Sequence, residues 1–216
     1  MIDAVYLTMK KIYLNLLPKL IKAFIYCAIL AAITAGIMIL SEESFKEDNV
    51  VEWLQFTFLF IATLCFIFTG KQNHDHRALS FVLAGVFLAA CVRECDRILD
   101  EHVFEHAWKV GVTLIMIYVA WLICRKTQSI AESTIIVMQW SSFGILLAGF
   151  MVLVYSRIFG HNDFWTIAVS RSNHKMFLRV LEEGIELLAY YIFLIGAIEY
   201  QCAMRRLKKH PDCKQG

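Results

Sequence analysis

Apolar residues are grouped in six long stretches along the chain, and short polar segments separate one stretch from the next. The six stretches lie at about 20–40, 50–70, 79–99, 108–124, 135–155 and 182–204. An α-helix needs about 20 apolar residues to cross a hydrocarbon core about 30 Å thick, and each stretch is close to that length. The pattern therefore predicts an all-α polytopic membrane protein, built as a bundle of six transmembrane helices.

The amino-acid composition agrees with that architecture. The 216 residues are 59% hydrophobic, whereas a soluble domain is about 45–50% apolar. Only two prolines occur, Pro18 and Pro211, and both lie outside the predicted spans. No polar stretch is long enough for a soluble domain, so we expect residues 1–216 to form a single membrane domain.

Basic residues give the predicted bundle an orientation. Six spans place both termini on one face of the membrane, together with the segments 71–78 and 125–134, which we expect to be loops. That face holds 13 of the 21 Lys and Arg residues, against 8 on the other face. The positive-inside rule then predicts that both termini are cytoplasmic. We expect a multi-pass plasma-membrane protein, which in a bacterium means the inner membrane.

Acidic residues are divided more unevenly between the two predicted faces. The outer face holds 14 of the 19 Asp and Glu residues, and the inner face holds 5. Acidic side chains contribute little to the orientation of a membrane protein, so this asymmetry needs another cause. We therefore expect an acidic outer mouth, with arginines set among the carboxylates.

The end of the third apolar stretch carries the charges that are hardest to accommodate. A helix that begins at Leu79 reaches Arg93 after about 21 Å, because it rises about 1.5 Å per residue. Arg93 and Glu94 would then lie about 8–9 Å inside the hydrocarbon core. Each such charge costs a few kcal/mol unless it is paired or faces a wet cavity. A partner on another helix is therefore expected.

Two other predicted spans offer such partners at the same face, because glutamates open the second and the sixth. We therefore expect one charged outer cluster that binds a ligand or a partner. Its predicted members are Glu52, Arg93, Glu94, Asp96, Arg97, Glu182, Glu183 and Glu186. The alternative is a buried ion-pair network that only fixes the registration of the helices.

For cofactors, the sequence leads us to expect none. His102 and His106 are four residues apart, and on one helix they would share a face beside Glu105, so a divalent metal is the alternative. No histidine lies in the middle of a predicted span, which argues against a haem held between helices. The seven cysteines form no Cys-x-x-Cys motif, and most lie in apolar stretches, where cysteine behaves as a small hydrophobe.

Three short motifs resemble those of a loose group of uncharacterised bacterial multi-pass inner-membrane proteins. They are Glu52-Trp53-Leu54 at the start of one span, Arg93-Glu94 with Asp96 at the end of the next, and Glu182-Glu183 with Glu186 at the start of the last. The resemblance covers about residues 42–100 and 181–200. It implies that these charges act as one unit, and it implies no activity.

Three classes of function fit these observations, and we favour a non-catalytic binding or sensing protein or a subunit of a membrane complex. The second class is a small-solute transporter or channel with an acidic outer mouth. The third is a membrane-embedded enzyme acting on lipid headgroups, although the chain has no Gly-x-Ser-x-Gly elbow, P-loop or His-Glu-x-x-His motif. Expected partners are membrane lipids and another membrane protein or a second copy of this chain. Nucleic acid is not expected, because no Lys/Arg tract with interleaved aromatics occurs.

Overall fold

Seven α-helices account for the regular structure of the described residues. A computed structural model describes residues 2–39, 50–159 and 174–209, and it contains no strand in these ranges. The helices are α1 (Ile2–Ile39), α2 (Val50–Gln72), α3 (Arg77–Glu94), α4 (Asp96–His102), α5 (Ala107–Met138), α6 (Ser141–Phe159) and α7 (His174–Lys209). The all-helical class predicted from the sequence is confirmed.

Four helices are long and apolar enough to cross a membrane. They contain the segments Leu16–Ile37, Val50–Gln72, Ala107–Met138 and Val180–Lys208. A fifth candidate consists of α3 and α4 together, which meet at a bend of 62°. The apolar part of α6, Ser141–Arg157, is shorter. Four or five such helices in one chain are compatible with a multi-pass membrane protein.

The chain divides into two compact units, residues 1–44 and residues 45–216. The first unit contains α1, whose apolar part carries the first candidate span. The second unit contains α2 to α7, and its main helix contacts join α2 to α3, α2 to α7, α3 to α5 and α6 to α7. All the charges of the predicted outer cluster belong to this second unit.

Within the second unit, hydrogen bonds between helices establish the relative directions of α2, α3 and α7. Gln55 donates to the carbonyl of Glu183 at 3.1 Å, and Lys208 donates to the carbonyl of Gln72 at 3.3 Å, so α2 and α7 run parallel. Ser80 on α3 lies 2.8 Å from the hydroxyl of Tyr200 on α7, near the opposite end. The start of α2, the end of α3 and the start of α7 therefore meet at one end of the unit.

An aromatic layer fills the centre of α2, α3 and α7. The ring of Phe66 lies 5.1 Å from that of Phe87 and 5.3 Å from that of Tyr200, and the ring of Phe87 lies 5.1 Å from that of Phe193. Phe66, Tyr200 and Phe193 are buried. Tilted and edge-to-face contacts at these distances are favourable arrangements of aromatic rings.

The third apolar stretch does not form the straight helix that the sequence predicts over 79–99. α3 ends at Glu94, and α4 leaves it at 62° after Cys95, which has φ −96° and ψ 17°. At the bend, a carboxylate oxygen of Asp96 accepts a hydrogen bond from the backbone N–H of Arg97 at 2.6 Å. Short Asp side chains compete in this way with the helical hydrogen bonds of their neighbours.

The segment 125–134, expected to be a loop, is helical and belongs to α5. It contains neither Gly nor Pro, so nothing in its composition ends the helix. Only Lys126 leaves the helical region, with φ −125° and ψ 25°. The chain reverses later, at Gln139 and Trp140, and α6 therefore begins at Ser141 and has 19 residues. Ser141 and Ser142 open this helix instead of lying in the middle of a span.

Close packing of α6 on α7 depends on glycine. A Cβ at Gly149 would lie 2.8 Å from a ring carbon of Phe193, and a Cβ at Gly196 would lie 2.6 Å from a methyl carbon of Leu146. Small residues allow two helices to approach in this way. Gly144, on the same helix as Gly149, has no atom within 4 Å of the position that a Cβ would take.

We predict that Gly149→Leu lowers the stability of the protein by about 1–3 kcal/mol, because the added side chain overpacks the α6–α7 contact. Gly144→Leu is the matched control and should change stability by no more than about 0.5 kcal/mol. Thermal unfolding of the two variants in detergent measures the difference. Equal melting temperatures would contradict this packing of α6 on α7.

Candidate functional site

A cavity of about 220 Å³ opens where the start of α2, the α3–α4 bend and the start of α7 meet. Seven of the eight residues of the predicted outer cluster line it. They are Glu52, Arg93, Glu94, Asp96, Arg97, Glu183 and Glu186. The eighth, Glu182, lies beside Glu186, where both carboxylates contact Arg157. The structure thus brings together charges that are more than 130 residues apart in the sequence.

Glu94 joins α3 to α7. Its side chain is only 13% exposed and accepts a hydrogen bond of 2.7 Å from the hydroxyl of Tyr190. A guanidinium nitrogen of Arg93 lies 3.7 Å from the same carboxylate oxygen. The sequence predicts that either Arg93 or Glu94 reaches another helix, and the structure identifies Glu94 as the one.

Glu186 is the most buried carboxylate of the cluster, with a side chain that is 9% exposed. A guanidinium nitrogen of Arg157 on α6 lies 2.7 Å from its Oε1 atom, and the other terminal nitrogen lies 3.1 Å from Glu182. The Ser156 hydroxyl also lies within hydrogen-bonding distance of Glu186, at 3.4 Å. A buried carboxylate is stabilised by charged hydrogen bonds, which replace its contacts with water. Arg157 supplies them and thereby connects α6 to α7 at this end.

Two further contacts connect α2 to the cluster. Arg97 on α4 lies 4.0 Å from Glu52 at the start of α2, and both side chains are about one-third exposed. Such an exposed ion pair contributes about 0–1 kcal/mol, so it guides the position of α4 more than it stabilises the fold. Gln55, which is buried, ties α2 to the backbone of Glu183.

The charges that line the cavity do not balance. Five carboxylates face two arginines, which leaves a formal excess of three negative charges. Trp53 and Phe56 complete the wall, and the Trp53 side chain is largely exposed. An acidic cavity with an aromatic wall favours a positively charged group, by direct attraction and by cation–π contact.

Four residues outside the predicted cluster contact its glutamates, namely Arg157, Ser156, Tyr190 and Gln55. The sequence places Arg157 at the outer end of its span, and it places Tyr190 on the helix face of Glu186, four residues further on. It gives no signal for Ser156 or Gln55. The Arg93 side chain is 46% exposed, and α3 ends one residue after it, at the bend that follows Glu94.

The two histidines considered for a metal do not share a helix. α4 ends at His102, whose ring nitrogen contacts the carbonyl of Ile98 at 3.1 Å. His106 follows in a turn, in a left-handed conformation with φ 67°, and its ring lies about 4 Å from Asp100 and Glu105. Among the described residues, no group of three or more His, Cys, Asp or Glu side chains is placed to hold a metal ion.

Comparison with other proteins adds nothing to this geometry. No family model matches the chain, and neither a curated protein nor a solved structure is detectably similar to it. The function is therefore argued from the site itself, from its charges, its volume and its contacts.

We predict that Arg157→Gln destabilises the protein by about 1–3 kcal/mol. It removes the cation from a buried carboxylate, and the partial exposure of the arginine reduces the loss. Arg97→Gln, which removes the longer and more exposed contact to Glu52, should cost less than about 1 kcal/mol. Thermal unfolding of both variants in the same detergent compares them, and equal losses would contradict the central role of the Arg157–Glu186 pair.

Proposed function

We propose that six helices cross the membrane and that both chain termini are cytoplasmic. The fifth span in chain order is α6, whose 19 residues measure about 28 Å at a rise of about 1.5 Å per residue, close to the thickness of the hydrocarbon core. The alternating directions of α2, α3, α5, α6 and α7 support this topology, as does the excess of basic residues near the opposite end. In a bacterium, the membrane would be the inner one.

We further propose that the protein is a non-catalytic binding or sensing protein whose outer cavity receives the cationic group of an organic ligand. The observation that carries this proposal is the cavity itself, with five carboxylates against two arginines and with Trp53 and Phe56 in its wall. A volume of about 220 Å³ suits a small ammonium group. Trp53 and Phe56 offer the aromatic contact that an organic ammonium group uses and a bare metal ion does not.

The contacts of the site favour binding over catalysis. Glu94 is held by Tyr190, and Glu186 is held by Arg157 and Ser156. These contacts fix both carboxylates in place before any ligand arrives, which reduces the cost of binding.

Transport is the second candidate, because the acidic mouth would also attract a cationic solute. The aromatic layer formed by Phe66, Phe87, Phe193 and Tyr200 supports binding over conduction, since it fills the space between α2, α3 and α7 below the cavity. A ligand would then stop at this layer. The signal of binding would pass to a partner, either another membrane protein or a second copy of this chain.

We predict that the purified protein in neutral detergent binds ethanolamine or choline. Glu183→Gln should weaken the binding of the amine about tenfold, because it removes one charged partner from the cavity. Isothermal titration calorimetry measures this change. Glu132→Gln is the matched control, since Glu132 is exposed on α5, far from the cavity, and hydrogen-bonded to Gln128.

Trp53→Leu should weaken choline binding more than ethanolamine binding, because a quaternary ammonium gains most from an aromatic wall. If the Glu132 and Glu183 variants bind the amine equally, or if neither amine binds to the wild type, the proposed function is wrong.

The orientation has its own test, in a variant whose native cysteines are replaced by alanine. We predict that Glu105→Cys, at a side chain that is 89% exposed, reacts with an impermeant maleimide added to intact cells. Gln128→Cys, exposed near the other end of α5, should react only after lysis. The reverse pattern would place the acidic cavity in the cytoplasm.

A further inference from the structure

A second and larger cavity lies at the opposite end of the helical unit, far from the outer cluster. It measures about 620 Å³ and opens where α5 turns into α6 beside the last turns of α7. Gln139, Ser142, Glu199 and Arg206 supply its polar groups, and Trp140 and Leu207 are among its apolar ones. None of these residues takes part in the proposed binding of a cation.

The start of α6 gives this cavity a positive end. The first N–H groups of an α-helix have no partner within the helix, and the helix dipole adds a partial positive charge there. In α6 the backbone N–H of Phe143 already donates to the carbonyl of Trp140 at 3.1 Å. The N–H groups of Ser141 and Ser142 precede it and belong to residues that line the cavity. Anions bind readily at such helix starts.

Ser142 supplies an independent observation at the same place. The residue is only 2% exposed, and among the described residues its hydroxyl has no hydrogen-bond partner. A buried hydroxyl is usually paired, because an unpaired one is costly. Ser142 also lines the cavity, so rotation of its side chain would let the hydroxyl donate to an oxygen of a bound ligand, the hydrogen bond that the protein does not supply.

The side-chain charges of the cavity cancel, since one arginine, Arg206, faces one carboxylate, Glu199. The sign of the preferred ligand therefore depends on the start of α6, which favours an anion, and the Ser142 hydroxyl can donate a hydrogen bond to such a ligand. A phosphate oxygen accepts several hydrogen bonds and pairs well with a guanidinium. Trp140 and Leu207 offer an apolar surface for whatever group the phosphate carries.

We propose that this cavity binds a phosphate ester, with the phosphate held by the start of α6, the Ser142 hydroxyl and the Arg206 guanidinium. The ester is either the headgroup of an anionic lipid or a soluble phosphate compound. Both ligands present the same phosphate to the protein. They differ in whether an acyl chain also occupies the apolar side of the cavity.

The test uses the full-length protein in neutral detergent with three probes, namely dihexanoyl phosphatidic acid, inorganic phosphate and dihexanoylglycerol. We expect dihexanoyl phosphatidic acid to raise the melting temperature and to bind about tenfold more weakly to Ser142→Ala and to Arg206→Gln, because each loses a hydrogen bond to a charged group. Glu199→Gln should bind it more tightly. Arg205→Gln is the matched control, since Arg205 is the exposed neighbour of Arg206 and does not line the cavity.

Ser142→Ala separates a binding role from a structural one. Without a probe, this variant should melt at the same temperature as the wild type or higher, because it removes a buried hydroxyl that has no partner. With dihexanoyl phosphatidic acid, it should lose most of the stabilisation that the wild type gains.

The outcomes also identify the source of the phosphate. Tighter binding of dihexanoyl phosphatidic acid than of inorganic phosphate supports a lipid, and equal binding of the two probes supports a soluble phosphate. In either case, Ser142→Ala and Arg206→Gln must bind the probe more weakly than the wild type does. Equal binding of dihexanoylglycerol would overturn the proposal. An equal loss of affinity in Arg205→Gln would also overturn it, because it would indicate a diffuse basic surface. If neither phosphate probe binds at about 10 mM, a concentration beyond the range of a specific site, the proposal is wrong as well.

Discussion

A carboxylate that lies between helices has to be satisfied by charge or by hydrogen bonds, and in this protein Glu186 imposes that constraint most strongly. It is buried at the start of α7, and the guanidinium of Arg157 on α6 lies 2.7 Å away. Glu94 meets the same requirement through Tyr190, which is one helical turn below Glu186. The two pairs hold α6 and α3 at the same end of α7. The acidic cavity forms at that end, where α2, the α3–α4 bend and α7 meet.

The aromatic layer lies between two polar cavities at opposite ends of the helical unit. On one side lies the cavity with an excess of carboxylates, and on the other lies the cavity at the start of α6 that includes Ser142 and Arg206. Phe66, Phe87 and Phe193 fill the space between α2, α3 and α7. The two proposals, a cation at one end and a phosphate ester at the other, therefore depend on different residues, and either can fail without the other.

Much of this architecture follows from the sequence. Long apolar stretches predict the membrane-type helices, and consecutive helices that alternate in direction bring Glu52, Glu94 and Glu186 to one end. The partner of Glu94 could not be predicted, because it depends on the rotation of α3 and α7 about their axes, which the length of an apolar stretch does not determine. The bend after Glu94 coincides with a local hydrogen bond from the backbone N–H of Arg97 to Asp96, which hydropathy does not detect. The polarity of the segment 125–134 is typical of a loop, but the segment contains neither Gly nor Pro, and it therefore continues the helix α5.

The central claim is that the charged helix ends form one connected network, and a double-mutant cycle between Glu94 and Tyr190 tests it most directly. Glu94→Gln, Tyr190→Phe and the double variant would be unfolded reversibly in mixed micelles. A hydrogen bond between α3 and α7 predicts a coupling free energy of at least about 1 kcal/mol. Losses that add to within about 0.3 kcal/mol would contradict the network and the cavity that depends on it.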